Sequence, residues 1–174
     1  MQLVFYFLAV IVVLVLQTHV VFHEVSVVWH VDLALLVMVS GCLQWEERRA
    51  LVFGFITGLM YDALSSDVMG LHAVSKVVVA YTTLLLSRHI QPHSLVLQSG
   101  FAALATALDT AARLFVLAIF QSRVYPLSMI VQVVLPHALL GAVCMPLIHT
   151  GLRVTLQALH LRPTPGQLPH ARTP

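Results

Sequence analysis

The chain has 174 residues and a net charge of +2, with 59% hydrophobic residues and only 9% charged residues. A soluble domain usually carries about 25% charged residues, so this composition, with a mean hydropathy of +0.93, excludes an ordinary soluble protein. The lack of a basic patch argues against a nucleic acid as partner. We expect an integral membrane protein: one all-α, polytopic helix bundle at residues 1–161, with no room for a second domain.

The first two predicted spans lie at residues 3–21 and 29–45. The first lacks a basic n-region and a small-residue cleavage site, so we interpret it as a retained span and not as a cleaved signal peptide. Trp29 and Trp45 bound the second span and suit the membrane interfaces. Asp32 suits the start of a helix, because a carboxylate is stabilised at the positive end of the helix dipole.

Polar breaks separate four further predicted spans, at residues 50–64, 71–87, 95–120 and 127–149. Pro136 and Pro146 lie within the last of these spans and predict at least one kink. Residues 153–161 can continue as an interfacial helix. Residues 162–174 are rich in proline and are expected to form a disordered cytoplasmic tail.

The distribution of arginine predicts the orientation of the six spans. Arg123 falls on one side of the membrane and the other loop and terminal arginines fall on the opposite side: Arg48, Arg49, Arg88, Arg153, Arg162 and Arg172. Cytoplasmic loops carry an excess of lysine and arginine. We therefore expect both termini in the cytoplasm, whereas an arrangement of five spans would break this asymmetry.

Small residues and an acid share one face of the third span. Gly54, Gly58 and Asp62 are spaced by four residues and lie on one side of a helix. Gly70 immediately precedes the fourth predicted span. Such a face permits close approach of a second helix in a membrane. It is either a groove for a partner helix, formed by these four residues, or a surface on which the chain's own helices pack.

Besides Asp32 at the start of the second span, four charged residues lie inside the predicted spans, all in the outer half of the bilayer under this orientation: Asp62, Lys76, Asp109 and Arg113. A charge in hydrocarbon is costly unless it is paired or hydrated. Asp109 and Arg113 are four residues apart and can pair on one helix, and Asp62 and Lys76 can pair across their short loop. The cluster is either a functional site or a structural ion-pair cluster that fixes helix register.

The residues give no positive indication of an enzyme, a cofactor or a metal site. Two histidine pairs are spaced by four residues, but they sit at span ends without the cysteines or carboxylates of metal sites, and interfacial polar residues explain them better: His19 with His23, and His89 with His93. Ser75 and Lys76 are adjacent and point about 100° apart on a helix, so they do not form a catalytic dyad.

The run Gly54-Phe-x-x-Gly58-Leu-x-x-Asp62-x-Leu64, followed by Gly70-Leu-x-Ala73, resembles the MreD family of rod shape-determining membrane proteins. The resemblance extends loosely over most of the chain, including the total length and the Asp32-Leu-x-Leu-Leu opening of the second span. Family members usually carry a proline before that aspartate, where this chain has Val31. The departure concerns the start of one helix.

The resemblance implies a non-enzymatic scaffold of the bacterial cell-elongation machinery. The expected partners are MreC through its membrane helix, the RodA glycosyltransferase with its class B penicillin-binding partner, MreB filaments at the cytoplasmic face, and membrane lipids. It also implies a fold similar to the S-components of energy-coupling-factor transporters. We hypothesise that the Gly54, Gly58 and Asp62 face docks the MreC helix or shapes the groove that receives it.

A second function comes from a different class of protein. A small-molecule-binding S-component would use the four intramembrane charges to line an outward-facing pocket, rimmed by aromatic and polar groups. An intramembrane hydrolase is a third and more remote alternative, since no set of nucleophile, base and orienting residue is evident.

Overall fold

The computed structural model describes residues 2–21, 32–65, 69–90, 94–121 and 127–158. Within these ranges the chain forms six α-helices and no β-strand: α1 Gln2–Val21, α2 Leu33–Cys42, α3 Glu47–Leu64, α4 Leu71–Ser87, α5 Leu95–Gln121 and α6 Leu127–Ala158. The all-α prediction is confirmed for this part of the chain. The predicted tail at 162–174, residues 29–31 of the second predicted span, and Arg123 lie outside the described residues.

Most helix bounds follow the predicted spans, because long apolar runs end at polar or turn-forming residues. α4 covers the predicted range, and α5 extends it by one residue. α3 begins at Glu47, where a carboxylate in the first turn interacts favourably with the helix dipole. α6 continues through Pro136 and Pro146 and ends at Ala158, beyond the predicted end of the last span.

α2 is shorter than predicted and lies at the centre of the bundle. It has ten residues, so it is about 15 Å long, roughly half of a hydrocarbon core. Residues 43–45 form a turn instead of continuing the helix. Asp32 caps α2 as predicted, since its Oδ1 accepts a hydrogen bond from the Leu35 amide at 2.8 Å. Residues 34–42 are all buried, because α2 contacts each of the other five helices.

Two described helical segments are long and apolar enough to cross a membrane, Leu95–Phe120 and Ile130–Ala158. Both are largely uncovered, with 22% and 17% of their most apolar windows buried. Large apolar side chains also lie exposed on the other long helices: Val4, Leu8, Val12 and Val15 on α1, Val52 and Phe55 on α3, Val74 and Val78 on α4. Charged Asp62, Lys76 and Asp109 are instead buried. The described bundle therefore presents many large apolar side chains outward and encloses these three charged residues.

The glycine face of α3 is filled by α4 of the same chain. A Cβ atom at Gly58 would lie 2.4 Å from Ala73 Cα and 2.5 Å from the His72 carbonyl oxygen. At Gly54 it would lie 3.0 Å from Ala80 Cβ. Gly58 thus lets the helix backbones approach more closely than any side chain allows, and at Gly54 a side chain would be tightly packed against α4. This arrangement corresponds to the second interpretation, packing of the chain's own helices, and leaves no open partner groove on this face.

Asp62 and Gly70 complete the same contact at the start of α4. Gly70 precedes α4 with a φ of 94°, a conformation that favours glycine, and it has no side chain to cap the helix. Asp62 supplies the cap, because its carboxylate accepts hydrogen bonds from the amides of His72 at 2.9 Å and Ala73 at 3.1 Å. Gly70 is therefore a turn residue before α4.

The structure gives Asp62 and Lys76 other partners than the ion pair that the sequence allows between them. The unsatisfied amides and the positive dipole end of α4 attract the Asp62 carboxylate. Lys76 lies further along α4 and bonds to carboxylates from other parts of the chain.

The other end of α2 is held by aromatic and neutral polar contacts. Tyr6, Trp45 and Phe53 meet edge to face, with the Tyr6 and Trp45 ring centroids 4.8 Å apart. The Gln44 amide donates to the Tyr6 hydroxyl at 2.6 Å. The Ser40 hydroxyl lies 2.9 Å from His149 Nδ1, which ties α2 to α6.

Candidate functional site: a buried charge network

Three helices bring four charged side chains together at the N-terminal end of α2. Lys76 on α4 donates to Asp32, just before α2, and to Asp109 on α5, with 3.1 Å between Lys76 Nζ and Asp109 Oδ1. Asp109 also pairs with Arg113, one turn further along α5, at 3.0 Å. We call Asp32, Lys76, Asp109 and Arg113 the charge network.

The charge network is neutral overall and is most deeply buried at its centre. The exposed side-chain fractions are 0% for Lys76 and 1% for Asp109, against 14% for Asp32 and 29% for Arg113. Acids and bases alternate through the network, so every charge has an opposite neighbour. An isolated buried charge is very costly, whereas a paired and hydrogen-bonded one is tolerated. The alternation explains how these residues remain inside an apolar bundle.

Tyr61 on α3 connects the charge network to further helices. Its hydroxyl donates to Asp32 Oδ1 at 2.6 Å, and Gln17 Oε1 of α1 lies 3.1 Å from the same hydroxyl. Its ring stacks on the His72 ring at 5.1 Å between centroids, and Lys76 Nζ lies 4.9 Å from the Tyr61 centroid. One phenol therefore contacts residues of α1 and α4 together with the cap of α2.

The structure brings three of the four predicted cluster residues together. The pairing of Asp109 with Arg113 is confirmed. Asp62 caps α4 instead. The position beside Lys76 that was expected for Asp62 is occupied by Asp32. Sequence reasoning gave Asp32 a capping role alone and gave Tyr61, Gln17 and His72 no part in the cluster. The available signal was that an acid beside a strongly apolar helix is costly in a membrane unless it is paired or hydrated.

The geometry of the charge network suits the positioning of helices. Its carboxylates are engaged by cations, an amide and a phenol, and Lys76 and Tyr61 reach them from other helices. Among the residues that the structure describes, no group of three histidine, cysteine or acidic side chains could hold a metal ion. Pairing between elements that are far apart in sequence fixes the register of α2, α4 and α5.

No family model matches this chain, and searches of the curated proteins and of the solved structures give no match. The functional proposals that follow therefore rest on the resemblance of the run from Gly54 to Ala73 and on residue chemistry and geometry.

Changing Tyr61 to phenylalanine is expected to lower the free energy of unfolding by about 1.5–3 kcal/mol, the usual contribution of a hydrogen bond to a charged group. The ring contacts with His72 and Lys76 stay in place. Thermal unfolding in detergent would measure the change. Tyr81→Phe is the matched control, because Tyr81 is 53% exposed and its hydroxyl has no described partner. Equal effects of the two substitutions would contradict the role given to Tyr61.

Replacing Arg113 by leucine is expected to destabilise the protein by about 1–3 kcal/mol, because the network is left with an excess negative charge. Asp109→Asn leaves an excess positive charge and should also destabilise. The double variant is neutral and retains Asp32 with Lys76, so its loss should be smaller than the sum of the two single losses. Additive losses in thermal unfolding would show that the two side chains act independently.

Proposed function

We propose that this chain is a six-span, non-enzymatic scaffold of the bacterial cell-elongation machinery, embedded in the inner membrane with both termini in the cytoplasm. In this proposal it docks the membrane helix of MreC. It thereby helps to position RodA and the class B penicillin-binding protein, with MreB filaments at the cytoplasmic face. Its task is to hold other proteins in place.

The observation that supports the proposal is that the residues of the MreD-like run serve one contact. Gly58 lets the α4 backbone approach, Asp62 caps α4, and Gly70 makes the turn before α4. Each residue type has a steric or hydrogen-bonding reason at its position. Because these residues are required together by one helix contact, their shared pattern is a stronger basis for resemblance than the same residue types at unrelated positions.

Membrane embedding is supported by the distribution of apolar and charged side chains. α5 and α6 contain the two spans of sufficient length, and apolar side chains face outward on α1, α3 and α4. α2 is short for a span, but it is enclosed by the other helices. Non-helical backbone is tolerated at membrane depth where protein, and not lipid, surrounds it. A short central helix is therefore compatible with a sixth crossing.

The partner helix in this proposal uses a face other than the glycine face of α3. Gly54 and Gly58 are in contact with α4, so a second helix has no access there. A substitution at Gly58 would consequently disturb the packing of α4 directly and could affect MreC binding only through that change. Loss of MreC binding in such a variant is therefore no measure of a docking surface.

Depletion in the native host tests the proposed role in cell shape. Rod-shaped cells that lose the protein should become round, and expression of the wild-type chain should restore the rods. Depleted cells that keep their rod shape through several generations would contradict the proposal.

One observation favours the S-component alternative. Tyr61, His72, Asp32 and Arg113 gather at one end of the bundle, and Asp32 and Arg113 are partly exposed. Aromatic and charged groups that converge in this way are typical of a small-molecule site. Strong thermal stabilisation by a vitamin or a metal ion, screened on the purified protein, would support a transporter subunit over a scaffold.

A further inference from the structure

A second set of charges lies apart from the charge network and from the cap of α4. Among the described residues it contains two glutamates and four arginines: Glu46, Glu47, Arg48, Arg49, Arg88 and Arg153. All are exposed, in contrast to the buried centre of the charge network. The set has a net positive charge, whereas the charge network is neutral.

These residues lie together at the end of the bundle where α2 finishes. The start of α3 follows α2 after a short turn, and Arg88 at the end of α4 pairs with Glu47 there. α6 reaches the same end, because His149 lies 2.9 Å from the Ser40 hydroxyl near the end of α2. Arg153 lies one helical turn beyond His149.

Three of the four arginines have no ion-pair or hydrogen-bond partner among the side chains that the structure describes. Arg88 pairs with Glu47, whereas Arg48, Arg49 and Arg153 pair with no described residue. Arg48 and Arg49 lie in the first turn of α3, where the helix dipole disfavours a cation. Their positive charge therefore contributes nothing to the stability of α3 itself.

The three unpaired arginines also border the apolar outer surface. Val52, one turn after Arg49, is 57% exposed, and Val154, next to Arg153, is 58% exposed. Arginine at such a boundary lays its aliphatic stem along the apolar surface and extends its guanidinium into the polar layer. In a membrane that polar layer consists of lipid headgroups.

We propose that Arg48, Arg49 and Arg153 form a binding surface for anionic phospholipid headgroups. The proposal rests on the membrane embedding described under the proposed function, but not on any partner protein. Guanidinium groups bind phosphate through paired hydrogen bonds. Their net charge favours a lipid with an anionic headgroup over a zwitterionic one, because clustered basic residues beside a membrane span attract anionic lipid.

Native mass spectrometry of the full-length protein in mild detergent tests the proposal. Phosphatidylglycerol and phosphatidylcholine with the same acyl chains are added separately, and the bound fraction of each is measured. The wild-type protein should retain phosphatidylglycerol preferentially. The triple variant Arg48→Gln, Arg49→Gln, Arg153→Gln should lose the preference, by about fivefold for each arginine removed. Salt at about 1 M should weaken it as well.

Two further variants separate charge from structure. The triple arginine-to-lysine variant keeps the charge and should keep most of the lipid preference. Glu46→Gln removes a negative charge at the same end of the bundle, which raises the net charge by one, so it should not reduce the preference. Equal retention of the two lipids by the wild type, or an unchanged preference in the glutamine variant, would overturn the proposal. If the triple glutamine variant unfolds, Arg153→Gln alone, which leaves α3 intact, decides between these results.

The membrane embedding is checked separately from the choice of lipid. Alkaline carbonate extracts peripheral proteins from membranes and leaves integral proteins in place. Release of this chain by carbonate would contradict both the embedding and the lipid surface that rests on it. Retention of the chain without any lipid preference would contradict the lipid surface alone.

Discussion

Replacing Lys76 by methionine is expected to lower the free energy of unfolding by about 3–5 kcal/mol, the usual cost of removing one partner from a buried ion pair. Lys76 is fully buried between Asp32 and Asp109. Methionine fills similar space, but it leaves two carboxylates close together with the cation between them removed. Thermal or denaturant unfolding in detergent, followed by tryptophan fluorescence, would measure the loss.

A compensating substitution separates the charge effect from a packing defect. Lys76→Met combined with Asp109→Asn leaves Asp32 and Arg113 and restores neutrality, so the double variant should recover a large part of the loss. Tyr61 and the Leu35 amide still hold Asp32 in that variant. A double variant as unstable as the sum of its two single variants would mean that Lys76 acts through packing and not through charge.

Substituting alanine at Gly58 is expected to cost about 1–3 kcal/mol, as overpacking usually does, and leucine is expected to cost more. The new Cβ would lie 2.4 Å from Ala73 Cα, and backbone cannot move aside as a flexible side chain can. Separation of α3 from α4 would also stretch the hydrogen bonds by which Asp62 caps α4. Both effects weaken the contact between α3 and α4, so the melting temperature of the variant should fall.

Gly100→Ala and Gly151→Ala are the matched controls for Gly58. Both glycines lie within helices, but a Cβ atom there meets nothing within 4 Å. Alanine is a better helix former than glycine by about 1 kcal/mol, so both substitutions should be neutral or stabilising. If Gly58→Ala behaves as these controls do, α3 and α4 are not packed as described.

Helix positions could be predicted from the sequence wherever an apolar run meets a polar or turn-forming boundary. Both ends of α4 and the start of α5 follow from this pattern. The early end of α2 does not. Its last predicted residue, Trp45, leaves the helix and packs on Tyr6 and Phe53, which belong to α1 and α3. A local pattern carries no information about a contact between distant segments.

The charge network was predictable only where its partners share a helix. The four-residue spacing of Asp109 and Arg113 gave their pairing directly. Asp32 and Asp109 reach Lys76 from other elements, so proximity along the chain suggested Asp62 instead. That suggestion failed because Gly70 has no capping side chain and α4 uses Asp62 for this purpose. The role of Tyr61 depends in the same way on helices that meet only in the folded bundle.

The structural and functional interpretations are connected through the same residues. A neutral charge network and a tight contact between α3 and α4 allow the interior to hold charge. In the proposed scaffold, the exposed apolar side chains of the long helices face lipid and partner helices. This combination is what a membrane scaffold requires.

The proposed scaffold is tested by the proteins that co-purify with this one. Tagged protein would be isolated from membranes of its native host in mild detergent, and its companions identified by mass spectrometry against an untagged control. We expect MreC to be enriched, together with RodA and its penicillin-binding partner. Recovery of ATPase subunits with a transmembrane coupling protein, and no enrichment of MreC, would contradict the scaffold and support a transporter subunit.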